Sequence, residues 1–140
     1  MGEPRVPSGL EDLARGASYS PAIDLPPGSE LVPFSGIVDT LREGEESVPS
    51  DLASQTKRVL AKMVSQVQAM GLTANNIVKV TVLLACPKSD FTVFNQAWTE
   101  FWGMAFPPCR RAHGVTWVPG TDTLVEVDPT VVRFPQDPAA

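Results

Sequence analysis

Apolar residues follow two distinct periods along the chain. From Leu52 to Met70 they recur at Leu52, Val59, Leu60, Met63, Val67 and Met70, with Lys57, Arg58, Lys62, Gln66 and Gln68 mostly on the other side. That spacing predicts an amphipathic helix of about 20 residues. Ser50 or Asp51 can open it by accepting from first-turn N–H groups, and Gly71 suits the position after its end. From Ile77 to Cys86 the period shortens to two. Val78, Val80, Val82 and Leu84 fill one face, and Lys79 and Thr81 interrupt the other. One dry face and one mixed face place this strand mid-sheet, covered on one side by helices. Pro87 stops it. Asp90 then caps a second helix, Phe91–Trp102, with Phe91, Phe94, Trp98 and Phe101 or Trp102 at helical spacing. Gly103 and Pro107-Pro108 terminate that helix.

The flanking segments are read from turn signals. Ala17–Leu25 is short and mixed, and is expected to be a first edge strand. Pro26-Pro27-Gly28 marks a turn. Leu31–Ser35 reads as a strand that Pro33 confines to an edge or a bulge, with Ile37-Val38 continuing past a kink at Gly36. Arg42–Pro49 is a charged loop. Phe106–Asp128 reads as a hairpin, with strands about Arg111–Val118 and Leu124–Arg133 turning at Pro119-Gly120. The order is β-β-α-β-α-β-β, without an internal repeat. Two helices cannot cover both faces of such a sheet, so they pack on one face of an α+β sandwich. The other face mixes Lys79, Thr81, Thr116 and Thr123 with Trp117, Val118 and Leu124. A partly apolar open face points to oligomerisation through the sheet. The boundaries are a flexible arm at 1–16, one domain at 17–133, and a tail at 134–140 expected to fray.

Composition narrows the function. With 140 residues, 43% hydrophobic and 19% charged, the chain fits a single soluble domain. A net charge of −5 and the lack of a basic stripe with interleaved aromatics argue against nucleic-acid binding. No apolar run approaches the roughly 20 residues of a membrane span. The N-terminal stretch has no apolar core and no cleavage site of a secretory signal. Cys86 and Cys109 lack CxxC spacing, which favours a reducing, cytoplasmic setting over a disulfide framework. A single histidine, His113, cannot build a His-rich metal site within one chain.

The chemistry concentrates between Phe106 and Asp128, where Arg110-Arg111 precedes one strand and Glu126 and Asp128 sit in the next. A guanidinium facing a carboxylate across a hairpin can line one pocket. Arg111 should point away from Arg110, toward an ion pair with a subunit or helix. Of the two carboxylates, Glu126 is favoured over Asp128. Cys109, beside two arginines, invites a depressed thiol pKa, and His113 is read first as a packed, hydrogen-bonded side chain. Trp98, Trp102 and the phenylalanines of the second helix are read as core or subunit contacts.

From about Tyr19 to Val132 the chain resembles the Rid/YjgF family of reactive-intermediate (enamine/imine) deaminases. The resemblance is carried by Leu31–Gly36 ending in Ser-Gly, Gln55-Thr56, Gly71-Leu72, IVKVTVLL at Ile77–Leu84, DFTVFN at Asp90–Asn95, FPPCR at Phe106–Arg110 and LVEVD at Leu124–Asp128. It implies a chorismate-mutase-like (bacillus-type) α+β fold with both helices on one face of a mixed sheet. It also implies a homotrimer with intersubunit clefts and cofactor-free, metal-free hydrolysis of small carboxylate-bearing imines, such as 2-aminoacrylate, to 2-keto acids and ammonia. By position it assigns Arg110 to the substrate carboxylate and Glu126 to the water. Tyr19, Ser35, Asn95 and Ala112 fall among the substrate-binding positions. The residue types suit the reaction, since a planar guanidinium grips a carboxylate through two parallel hydrogen bonds and a carboxylate can hold and activate water. Tyr19 could equally be an edge residue, Asn95 could bond a neighbouring loop, and Ser35 could simply make its turn. Arg111 stands where many members carry Ser or Thr, Ala112 where well-studied members carry cysteine, and His113-Gly114 are also unusual. The turn at Gly120–Thr123 looks one residue longer than in the commonest members. These departures bear on substrate more than on fold. They leave open a pathway-specific enzyme, such as an aminomuconate-type deaminase or a natural-product tailoring enzyme, and a non-catalytic ligand-binding or regulatory trimer. Chorismate mutation would need more cationic groups than Arg110 alone, unless Arg111 joins it.

Overall fold

The computed structural model describes residues 6–10, 18–103 and 106–137. Two short strands, Glu30–Val32 (β1) and Ile37–Val38 (β2), lead into helix Leu52–Gln68 (α1). Strand Ile77–Leu84 (β3), helix Phe91–Trp102 (α2) and strands Cys109–Gly114 (β4) and Val125–Arg133 (β5) follow. The sheet order is β1-β5-β3-β4, with β2 also paired to β5. β5 is antiparallel to β1, β2 and β3, whereas β4 runs parallel to β3. The sheet is therefore mixed and β3 lies inside it, as its one dry face requires.

The helices form where the periodicity places them. Asp51, rather than Ser50, caps α1, its carboxylate accepting from Ser54 N–H at 2.8 Å. The buried stripe is Leu52, Gln55, Thr56, Val59, Leu60, Met63 and Val67. The helix stops at Gln68, 17 residues long, so Met70 falls beyond it and is exposed. Gly71, at φ 77°, reverses the chain, and Leu72 N–H returns to the Val67 carbonyl at 3.3 Å. Asp90 does stand at the start of α2, but its side chain makes no capping hydrogen bond; a 3₁₀ turn, Lys88–Asp90, leads into the helix instead. Val80, Val82, Val125, Val127 and Val131 meet Val59, Leu60, Met63, Phe94 and Trp98 in a dry core on the helix side. Each such side chain contributes about 1.5–3 kcal/mol by leaving water.

Four expectations fail, each for a local reason. Among the described residues, 18–25 form no strand. That segment is a strap: Ser20 N–H and Oγ donate to the carbonyls of Pro108 (3.1 Å) and Pro107 (2.6 Å), and Trp98 Nε1 donates to Ser18 O at 2.6 Å. Prolines offer no N–H in return, so no ladder can form there. β1 ends at Val32, before Pro33, instead of running to Ser35. Val78 does not share the face of Val80, because a register shift between Ile77 and Lys79 turns it into a satellite cluster with Val132, Phe134 and Ile23. Most consequentially, β4 and β5 are not a hairpin. β3 lies between them, and the connection caps its end, with Val115 N–H donating to Leu84 O and Ala85 N–H to Leu124 O, both at 2.9 Å.

The tail does not fray where it is described. Phe134 is buried, and Asp137 Oδ2 accepts from Phe134 N–H and Asn76 Nδ2, both at 2.8 Å. Residues 138–140 lie outside the described residues, as do 1–5 and 11–17, which carry most of the expected arm. Residues 6–10 hold one turn, closed by Leu10 N–H on Pro7 O at 3.1 Å.

Candidate active site

Arg110 sits second in the edge strand β4, aligned with Val80 of β3. It therefore shares the helix-side face and leans against α2. Its guanidinium carbon lies 4.7 Å from the Tyr19 ring centroid, 5.7 Å from Phe91, 5.6 Å from Phe94 and 5.3 Å from Trp98. Nη1 donates to Asn95 Oδ1 at 2.6 Å. The chain builds this cage from three places. The strap brings Tyr19, α2 presents Phe91, Phe94, Asn95 and Trp98 on one face, and Pro107-Pro108 hold the start of β4 against the strap.

A half-buried cation within four rings has lost much of its hydration. Burial accordingly lowers the Arg110 pKa, against a smaller raising influence from Tyr19. Among the described residues no carboxylate pairs with it, and Asn95 occupies one of its five donors. The remaining donors suit an incoming planar anion. The rings also hold the guanidinium plane in place, so less side-chain freedom is lost when that anion binds.

Glu126 lies elsewhere. Val125 and Val127 on either side are fully buried in the helix-side core, so Glu126 points to the opposite face of the sheet. Its register partners are Leu83 on β3 and Val38 on β2. From the level of Val80 to that of Leu83, with β3 intervening, Arg110 and Glu126 are separated by about 10 Å along the strands and about 10 Å across them. The expected single pocket is therefore absent within one chain. The candidate residues fall instead into two separate groups. One gathers Arg110, Asn95, Tyr19 and Ala112 at the free sheet edge. The other places Glu126 beside Ser35-Gly36, where a Cβ on Gly36 would run into the Glu126 carboxylate. The glycine is what lets the backbone approach that carboxylate.

The other candidates sort by face. Arg111 is exposed on the open face, level with Thr81 and Asp128 and opposite in direction to Arg110, as expected. His113 is exposed rather than packed, because β4 is an edge strand with nothing over that face among the described residues. Burial pushes the Cys109 thiol up, outweighing a lowering pull from Lys79, so the expected depression does not occur. Burial, assisted by Asp90, raises the Cys86 thiol as well. Among the described residues no three of His, Cys, Asp and Glu gather closely enough to hold a metal ion, and no helix is long and apolar enough to cross a membrane.

Trp98 and Phe94 serve the core and the cage together, a dual role that the core reading of α2 passed over. Their i, i+3, i+7 spacing with Phe91 was the visible signal. A largely apolar cleft of about 620 Å³ shares Phe91 with the cage and runs along the β4 edge, lined also by Leu84, Cys86, Pro87, Ala112 and His113 among others. Gln55, fully buried, is the second omission. Its Nε2 donates to Pro49 O (2.7 Å) and Asp122 O (2.8 Å), and its Oε1 accepts from Leu124 N–H (2.8 Å), which fixes the entry of β5 two residues before Glu126.

A mixed sheet with two helices on one face, carrying an aromatic-framed arginine at its edge, is a domain of the YjgF/Rid type. From residue 10 to residue 133 the chain matches, and belongs to, the family described as endoribonuclease L-PSP, the Rid/YjgF family. A RutC family protein of Pyrococcus abyssi is 32% identical over 110 residues, 79% of this chain and 82% of that one. A 2-iminobutanoate/2-iminopropanoate deaminase of Mus musculus is 28% identical over 117 residues, 84% of this chain and 82% of that one. Among solved structures, E. coli TdcF with bound serine superimposes with a TM-score of 0.66 at 26% identity, covering 84% of this chain and 95% of that one.

Proposed function

We propose that this protein hydrolyses carboxylate-bearing imines or enamines of the 2-aminoacrylate type to 2-keto acids and ammonia. The observation that carries this reading is the half-buried, aromatic-framed guanidinium of Arg110, which has no carboxylate partner among the described residues. It would take the substrate carboxylate through two of its free donors. Water adds to the C=N carbon, the tetrahedral adduct expels ammonia, and a C=O bond replaces the C=N bond. Glu126 is the group suited to hold that water and take its proton. An imine is already electrophilic, so positioning and one base suffice, without a cofactor. Relatives named as imine deaminases, and one relative of this fold that holds serine, support a small substrate with a carboxylate.

The separation of the two groups of residues carries the second part of the reading. One chain cannot present Arg110 and Glu126 to one molecule, so the complete cleft would form between copies, in a homotrimer. The open sheet face, with Leu83 among exposed polar residues, is the surface available for that contact. The free thiols of Cys86 and Cys109 fit a reducing, cytoplasmic setting. The net charge of −5 argues against an RNA substrate despite the family's descriptive name.

The test generates 2-iminopropanoate in situ with an amino-acid oxidase and traps it with semicarbazide. Wild type should compete with trapping, and Arg110→Ala should not. Equal competition by both would remove Arg110 from its role. No competition by wild type, together with a trimeric mass and carboxylate binding, would leave a ligand-binding trimer. A single-chain mass in solution would overturn the intersubunit site.

A further inference from the structure

We infer that the substrate carries a bulky apolar side chain, branched or aromatic, which occupies the cleft beyond Arg110; this rests on the imine reading above. The imines of three or four carbons named for the family's relatives have a methyl or ethyl group to place. The cleft in one chain, before a partner copy closes the site, is about 620 Å³, more than a methyl or ethyl group requires. Its inner wall is apolar: Leu84 and Ala112 on the sheet, Cys86 and Pro87 past the end of β3, and Phe91 at the start of α2. Lys88 and Ser89 are exposed at its rim.

The cleft borders the surroundings of the arginine at two residues, Phe91 and Ala112. Phe91 belongs to both, its ring 5.7 Å from the Arg110 guanidinium carbon while it lines the cleft. Ala112 stands two residues along β4 on the same face as Arg110, a step of about 6.6 Å. A carboxylate held at Arg110 would therefore lay its side chain over Ala112 toward Leu84 and Cys86. The position is permissive because residue 112 is an alanine, since a larger side chain would project from the β4 floor into that space. Leu84 and Ala112 belong to, or pack against, the main core, so this floor is rigid. Every methylene placed there leaves water for an apolar wall, and pockets of this kind discriminate about tenfold or more per methylene.

The experiment compares imines generated from alanine, leucine and phenylalanine by an L-amino-acid oxidase, with catalase present and semicarbazide as the competing trap. The expected result is a kcat/KM at least about tenfold higher for the leucine- or phenylalanine-derived imine than for the alanine-derived one. Ala112→Leu should lower the large-to-small ratio about tenfold. Thr92→Phe, an exposed position on the cleft wall outside the core, should lower it in the same direction and covers the case in which Ala112→Leu fails to fold. A ratio at or below one in wild type, or a ratio that neither variant changes, overturns the inference while leaving imine hydrolysis intact. If no imine is hydrolysed, the catalytic reading fails. Calorimetric titration with 3-phenylpropanoate and propanoate then judges the cleft alone: tighter 3-phenylpropanoate binding, weakened by Thr92→Phe, upholds the apolar compartment, and equal or absent binding overturns it.

Discussion

Replacing Gln55 by leucine keeps the approximate volume of a fully buried side chain and removes three hydrogen bonds to backbone. The carbonyls of half-buried Pro49 and exposed Asp122 can recover water, so each loss there costs about 1 kcal/mol, whereas an N–H left unpaired at Leu124 costs about 1–3 kcal/mol. Set against a small gain from apolar burial, the net loss is about 3 kcal/mol, a fall in melting temperature of about 10 °C for a chain of this length. Gln55→Glu sharpens the test. A carboxylate there would face two carbonyl oxygens in a buried position, so its folded-state pKa would rise above the unfolded value of about 4.3. A group with a raised folded pKa gives its full stability below the unfolded pKa and loses it as pH climbs through the folded one. The Glu variant should therefore melt closest to wild type near pH 4 and fall progressively behind toward pH 8. Thermal melts of the three proteins across that range decide the matter. A leucine variant within about 1 kcal/mol of wild type, or a glutamate variant whose deficit ignores pH, would refute the assignment of Gln55 as the clamp on β5.

Asn95→Asp places a carboxylate where an amide oxygen now meets Arg110, so an internal ion pair should compete with substrate; KM should rise about tenfold or more, as expected for a charge-assisted bond of about 1.5–3 kcal/mol, and steady-state kinetics showing an unchanged KM would contradict the anchor. Gly36→Ala should displace the flexible end of Glu126, leaving the melting temperature nearly unchanged while lowering kcat by up to about a hundredfold, the cost of a misplacement near 1 Å; an active variant would separate Glu126 from the chemistry. Glu45 is held down to about 2 by hydrogen bonds, first from Arg58 (2.7 and 2.8 Å) and then from Arg42 N–H (2.7 Å). Its folded pKa is depressed, so its contribution is present above the unfolded value and lost as pH falls through about 2. Acid titration of stability should be shallower below pH 5 in Glu45→Gln than in wild type.

Local chemistry was legible in the sequence and long-range pairing was not. α2 occupies the predicted Phe91–Trp102, and β3 starts where alternation starts, because each is set by a period within its own residues. The segment 18–25 has no such period; short and mixed before the turn at Pro26-Pro27-Gly28, it reads as an edge strand, but its partners are carbonyls almost ninety residues on. The Arg110–Glu126 hairpin failed because a turn at Pro119-Gly120 says nothing about whether β3 intrudes between the strands. Faces, by contrast, were readable: alternation placed Arg111 opposite Arg110, and the buried valines around Glu126 fixed its direction. What alternation could not give was that the two faces in question are different ones.

The pairing of β5 has a consequence for how the chain is made. β1, β2 and β3 all bond to β5, and the two outer partners, Glu30 and Arg133, lie about a hundred residues apart. During synthesis, β1, β2 and β3 all leave the ribosome before β5, the strand that they share. α1 and α2 can form as they emerge and β3 can pair with β4, but β1 and β2 must wait for β5, and Val80, Val82 and Leu84 meanwhile lack their antiparallel partner. Such non-local closure is slow and exposes apolar surface. A nascent chain stalled within the 115–124 loop would hold two helices and an unfinished sheet, the state in which this protein would most depend on chaperones.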